Sequence, residues 1–142
     1  MLVDSRCVLT HMGRILVGLF AISLLIAAAP NRFIITYDGG GAINAYQQNL
    51  NLFRDRGIEV AIDGPCFSAC TIYVALKKVC ITKKAILYFH KGPSRTSTEL
   101  MQMHWTATLR ALLATRGELP SFKSGNYLPL AYDDLKSILP TC

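Results

Sequence analysis

Strand-like and helix-like segments alternate along the chain after residue 30, and this order restricts the possible folds more than any other feature. Residues 32–37 are rich in β-branched and aromatic side chains, which predicts a strand. Apolar residues then recur at helical spacing from 42 to 53, and Gly57 is expected to end that helix. The other expected elements are strands at 58–62, 79–82 and 85–89, and helices at 67–76, from 97 or 98 to 115, and at 132–139. Such alternation predicts an α/β fold with a parallel sheet and flanking helices.

An uncharged apolar run at 15–29 follows Arg14, the arrangement typical of a secretory signal. The run is shorter than the ~20 apolar residues that a membrane-spanning helix needs. Small residues end it, as a cleavage site requires, but Pro30 would follow the cut. We therefore expect residues 1–29 to be a signal peptide or an N-terminal membrane anchor. Residues 30–142 are expected to form one α/β domain that is periplasmic, secreted or anchored at the inner membrane.

The chain has five cysteines, of which Cys7 would leave with a cleaved signal. The four that remain are Cys66, Cys70, Cys80 and Cys142. An even number suits an oxidising compartment, and four cysteines allow three disulfide pairings. We favour a bridge from Cys80 to Cys142, which would tie down the chain end, and a local bridge between Cys66 and Cys70. Zinc sites usually have closer pairs of ligands, so no metal is expected, and no sequence motif indicates a cofactor.

The net charge of +6 raises the question of a polyanionic partner. The basic residues are scattered, however, without the interleaved aromatic side chains that favour nucleic-acid binding. They are better explained as solvated faces, so no nucleic-acid partner is expected. Weak attraction to anionic lipid or to a cell-wall polymer stays open.

Three chemically distinctive features lie where predicted strands end. They are the glycine run 39–41, the turn that leads to Ser68, and His90 after an apolar strand. Because ligands bind beyond the carboxyl ends of parallel strands, these features are expected at one edge of the sheet. Ser68 would lie at a helix N-terminus, where free N–H groups stabilise an oxyanion, although a serine there also serves as a helix cap. His90 could remove the serine proton, or it could be a structural histidine.

Taken together, the residues from Phe33 to His90 resemble the Clp-protease-like (crotonase-type) fold, and more closely its exported bacterial relatives of unassigned role. Gly40 and Gly41 match the glycine pair of that family, Ser68 in Phe-Ser-Ala-Cys matches the nucleophile, and His90 in Tyr-Phe-His-Lys matches the base. The resemblance implies that Gly41 and Ala69 donate the oxyanion N–H groups. It also implies a truncated version of the fold, because the strands that precede the glycine turn in the family are largely missing.

The third member of a catalytic triad is less well defined by this resemblance. The family's aspartate position aligns best with Asn126 in Gly-Asn-Tyr-Leu, and Asp133 and Asp134 follow a few residues later. An amide can orient an imidazole, as in Cys-His-Asn triads. All three residues are therefore candidates for orienting His90.

The sequence and the resemblance predict an exported serine hydrolase-like domain that acts on a peptide or another acyl compound. The alternative is a non-catalytic envelope domain with a binding or structural role that retains the same fold. Met101, Met103, His104 and Trp105 indicate a packing face or an oligomer face on the long helix. The resembled family uses this region for subunit contacts, which implies a homo-oligomer.

Overall fold

Residues 31–142 are described by the computed structural model of the chain, so the predicted signal or anchor at 1–29 lies outside the described residues. The described part is mixed α/β and contains two three-stranded sheets. The first sheet has the order β1 (Arg32–Ile35), β2 (Glu59–Ile62), β4 (Val79–Ile81), and the second has the order β3 (Pro65–Phe67), β5 (Ile86–Phe89), β6 (Leu128–Ala131).

The expectation of one parallel sheet is wrong. The first sheet is parallel, whereas in the second β5 pairs parallel with β3 and antiparallel with β6. A turn at Lys83 and Lys84 sends β5 into a different sheet from β4. Between β2 and β3 the chain bends at Gly64, where a Cβ atom would lie 2.0 Å from the carbonyl oxygen of Thr36. Only glycine fits this close approach of two backbones.

The helices depart from the expected pattern in three places. The described helices are α1 (Ile43–Asp55), α2 (Arg95–His104), α3 (Ala107–Arg116), α4 (Tyr132–Leu135) and the 3₁₀ helices Ser68–Ala75 and Phe122–Ser124. The segment expected as one helix from 97 or 98 to 115 is two helices, because the chain turns at Trp105. Thr106 then caps α3, and its hydroxyl accepts a hydrogen bond from the Leu109 N–H. The helix expected at 67–76 is a 3₁₀ helix, and the last helix is shorter than expected.

The buried 3₁₀ helix Ser68–Ala75 lies at the centre of the hydrophobic core. Its residues from Ala69 to Val74 are all buried, and it contacts α1, α2 and three of the strands. Met101 and Trp105 are each 3% exposed and pack into the same core. Two of the residues expected on a packing or oligomer face therefore belong to the interior, whereas Met103 is 71% exposed.

Two disulfides have the pairing that the sequence analysis favours. Cys66 and Cys70 join the middle of β3 to the first turn of the 3₁₀ helix. Cys80 and Cys142 tie the last residue to β4, where the Cys142 N–H also donates to the carbonyl of Ile81. Such bridges fit an oxidising compartment. In the described part of the chain, no helix is both long and apolar enough to cross a membrane.

Candidate active site

Ser68 begins the 3₁₀ helix directly after β3 and has an unusual backbone conformation. Its φ is +52°, and within residues 31–142 no other residue except glycine has a positive φ. Such a conformation costs of order 1–3 kcal/mol and persists only where the surrounding contacts enforce it. The strained residue is therefore the one that the sequence predicts as the nucleophile.

The pairing of β3 with β5 brings His90 to Ser68. Phe67 lies opposite Tyr88 in the parallel register, so the residues just beyond these partners leave the sheet at the same edge. The Nε2 atom of His90 lies 2.6 Å from the Oγ atom of Ser68, within hydrogen-bonding distance. The two residues predicted as nucleophile and base are therefore in contact.

The imidazole of His90 is only 3% exposed. Burial lowers the pKa of His90 below its ordinary value, because the charged form loses its hydration. The lowered pKa favours the neutral ring, and in the tautomer with an unprotonated Nε2 that nitrogen can accept the Ser68 proton. A neutral imidazole that hydrogen-bonds to a hydroxyl is the arrangement required for general-base catalysis.

Two buried side chains hold the backbone of Ser68 in place. The Thr71 hydroxyl donates to the Ser68 carbonyl at 2.7 Å and accepts from the Trp105 Nε1–H at 3.0 Å. Sequence reasoning missed both contacts. The signal available was a lone tryptophan on a helix and a threonine within an apolar segment, since buried groups of this kind require hydrogen-bond partners.

The glycine loop packs against the turn that carries Ser68. Gly40 has a φ of +75°, and a Cβ atom there would lie 2.6 Å from the Phe67 carbonyl oxygen and 2.9 Å from the Ser68 Cβ. The Gly40 N–H donates to the Asp38 carboxylate, which also accepts a hydrogen bond from the Tyr46 hydroxyl. Burial, together with this carboxylate, raises the pKa of Tyr46, so the phenol keeps its proton. Position 40 therefore requires a glycine, both because its φ is positive and because a Cβ atom would clash with Phe67 and Ser68.

Gly41 and Ala69 both border the site of Ser68. Both residues line a cavity of about 230 Å³ next to Ser68, together with Met101, whose Sδ atom lies 3.9 Å from the serine Oγ. Within residues 31–142, neither amide donates a hydrogen bond to another backbone group. Two such N–H groups beside a nucleophile can stabilise an oxyanion.

A second cavity of about 390 Å³ also borders Ser68. It is lined by the glycine loop, by His90, and by the aromatic side chains of Phe122 and Tyr127. The two cavities share Gly41, Ala42, Ser68 and Pro93, so Ser68 borders both of them.

The structure does not bring the three candidate orienting residues to the His90 ring. Asp133 pairs with Lys136 at 2.6 Å, and Asp134 pairs with Arg116 and accepts from the Ala131 N–H. The Asn126 side chain is exposed, and its backbone N–H donates to Ser124. Among the described residues, the hydrogen bond of the His90 ring is to Ser68.

No protein-family model and no curated protein sequence matches the chain. Its function is therefore inferred from the chemistry of the described residues. The arrangement they form is a serine hydroxyl at a strained turn, a buried imidazole in contact with it, and a cavity beside the serine that Gly41 and Ala69 line.

Proposed function

We propose that this protein is a serine hydrolase in which Ser68 is the nucleophile and His90 is the general base. The observation that carries the proposal is the 2.6 Å contact between the Ser68 Oγ and the His90 Nε2, at the one strained non-glycine residue of the described chain. A serine hydroxyl is a weak nucleophile at neutral pH, so it needs a base within hydrogen-bonding reach.

The proposed reaction is acyl transfer to water. His90 takes the hydroxyl proton as the Ser68 oxygen bonds to the carbonyl carbon of the substrate, and the N–H groups of Gly41 and Ala69 stabilise the oxyanion. His90 then gives that proton to the leaving group as the tetrahedral intermediate collapses to an acyl-serine. A water molecule, deprotonated by His90, attacks the acyl-serine; His90 then returns the proton to the Ser68 Oγ as its bond to the acyl carbon breaks and the carboxylic acid leaves.

The proposal places the two halves of a substrate in the two cavities that border Ser68, and the lining of one cavity by His90 supports this. Because His90 must reach the departing atom, the leaving group would occupy the cavity that His90, Phe122 and Tyr127 line. The acyl half would then occupy the cavity beside Met101. Both are open to a peptide or to another acyl compound.

The proposal includes the fold family and the location. A truncated Clp-protease-like fold is supported by the order of glycine loop, serine turn and histidine-bearing strand. Export is supported by the two disulfides and by the apolar run at 15–29. Self-association is part of the proposal, and the 71% exposed side chain of Met103 on α2 is available for such a contact.

A second candidate is a non-catalytic envelope domain with the same fold. The observation that favours it is that, within residues 31–142, no carboxylate hydrogen-bonds to the His90 ring. Loss of the acid in a Ser-His-Asp triad lowers turnover by about 10⁴-fold. In this case the Ser68 and His90 contact would contribute to structure alone.

Trapping of an acyl-enzyme separates the two candidates. The purified protein is mixed with p-nitrophenyl acetate at pH 7, quenched in acid, and its intact mass is measured. We expect one added acetyl group on Ser68, and its absence in Ser68→Ala. The matched control is Ser137→Ala, an exposed serine outside both cavities, which should acetylate like the wild type. Equal mass gain in Ser68→Ala, or none in the wild type, would favour the non-catalytic domain.

A further inference from the structure

Two aromatic rings enclose the imidazole of His90. The Phe122 ring stacks on it with centroids 5.5 Å apart and an angle of 27° between the planes. The Tyr127 ring meets it edge-on, with centroids 4.9 Å apart and an angle of 61°. We call these two residues the aromatic clamp.

The clamp is attached to the rest of the site at several points. The Lys91 N–H, next to His90, donates to the Pro120 carbonyl at 2.8 Å and holds the clamp segment against the end of β5. The Tyr127 ring also packs edge-on against Phe67 at 5.2 Å. Because Phe67 directly precedes Ser68, one ring contacts both sides of the nucleophile–base pair.

We propose that the aromatic clamp positions His90 and stabilises its protonated form, the role that a carboxylate has in a Ser-His-Asp triad. The inference rests on the proposed function, since His90 must gain a proton in each catalytic step. The face of a benzene ring carries negative charge density and attracts a cation stacked on it. Phe122 presents that face to the imidazole, and Tyr127 restricts the ring's rotation from the side.

The charged groups around His90 do not supply this stabilisation. Lys91 forms an ion pair with Glu118, and Asp38 on the glycine loop is hydrogen-bonded to Tyr46. Lys123 follows Phe122, and Tyr88 precedes His90 by two residues. Burial is what lowers the pKa of His90, and the clamp opposes this effect by favouring the imidazolium.

The test separates the electrostatic role of Phe122 from its packing. Phe122→Leu keeps an apolar side chain over His90 and removes the aromatic face, whereas Phe122→Tyr keeps both. Phe122 is 50% exposed, so neither change empties the core. The His90 pKa is measured by NMR, and the rate of Ser68 labelling by a fluorophosphonate is measured against pH.

We expect Phe122→Leu to lower the His90 pKa by about 0.5, the size of a weak cation–π contact. Its labelling rate at the pH optimum should fall several-fold, and Phe122→Tyr should restore both quantities. Tyr37→Leu is the matched control, because Tyr37 is an exposed aromatic that packs on Phe67 rather than on His90. It should leave the His90 pKa unchanged.

The NMR measurement keeps this inference separate from the proposed function. If the wild type is not labelled but Phe122→Leu still lowers the His90 pKa, the result contradicts the proposed hydrolase and supports the clamp. If the wild type is labelled but Phe122→Leu changes neither the His90 pKa nor the pH profile of labelling, the clamp is overturned and the proposed hydrolase stands.

Discussion

Replacing Thr71 by valine tests how the fold holds the nucleophile. Valine has nearly the shape of threonine, so the change removes the hydroxyl that links the Trp105 N–H to the Ser68 carbonyl. Leaving the buried indole N–H without an acceptor costs about 1–3 kcal/mol, and the lost bond to Ser68 costs about 1 kcal/mol. We therefore expect Thr71→Val to lower the free energy of unfolding by about 2–4 kcal/mol.

The same change should also reduce the reactivity of Ser68. Without the Thr71 hydroxyl, the positive φ of Ser68 can relax, which moves its Oγ away from His90. Urea unfolding followed by tryptophan fluorescence gives the stability, and fluorophosphonate labelling of the folded protein gives the reactivity. Thr71→Ser, which keeps the hydroxyl, should retain most of the labelling rate.

The matched control for Thr71 is an exposed threonine that makes a similar hydrogen bond. The Thr115 hydroxyl donates to the Leu112 carbonyl at 2.7 Å on the surface of α3. Thr115→Val should change stability by no more than about 0.5 kcal/mol. If Thr71→Val were no less stable than Thr115→Val, or labelled as fast as the wild type, the account of how Ser68 is held would be refuted.

Three further predictions concern the glycine loop, the disulfides and pH. Gly40→Ala should abolish Ser68 labelling and lower the stability in urea by more than Gly125→Ala does. Both glycines have a positive φ, but a Cβ atom would clash at Gly40 and has nothing within 4 Å at Gly125. From the lengths of the loops they close, removing the Cys80–Cys142 bridge should lower the free energy of unfolding by about 4 kcal/mol, and removing Cys66–Cys70 by about 2 kcal/mol. Equal losses of stability in urea unfolding would contradict this. Since the pKa of His90 is lowered by burial, the unfolded chain gains a proton first as pH falls below about 6.5. Stability should therefore drop between pH 7 and pH 5 by more in the wild type than in His90→Gln, and equal drops would argue against a buried neutral imidazole.

The sequence predicts the first part of the fold well, because its signals are local. β1, α1 and β2 occur where β-branched residues, helical periodicity and Gly57 indicate them. Periodicity and glycine positions are enough for these three elements. The sequence also predicts that Ser68 and His90 lie at one edge of a sheet, but β3 and β5 bring them together, and β3 is not apparent from the sequence.

The elements that the sequence analysis missed depend on contacts between distant residues. β3 has three residues, begins at the proline of the Asp-Gly-Pro turn, and is a strand only because it pairs with β5. β6 contains Pro129 and likewise forms against β5. The break at Trp105 is favoured by the hydrogen bond of its indole to Thr71, far away in the sequence.

The side-chain environment of His90 could not be predicted for the same reason. Phe122 and Tyr127 lie in a segment with glycine, serine and lysine residues, which reads as a surface loop. Nothing local to that segment indicates that its two rings pack on a histidine from another strand. The role of Asn126, Asp133 and Asp134 in orienting His90 stays a prediction, which single substitutions would test.

The central claim is that His90 activates Ser68, and covalent labelling tests it most directly. The folded protein is treated at pH 7 with an alkyl fluorophosphonate, digested, and the modified residue is identified by mass spectrometry. The account predicts one adduct on Ser68 in the wild type, and no adduct in either Ser68→Ala or His90→Ala. An unmodified wild type, an adduct on another residue, or undiminished labelling in His90→Ala would contradict it.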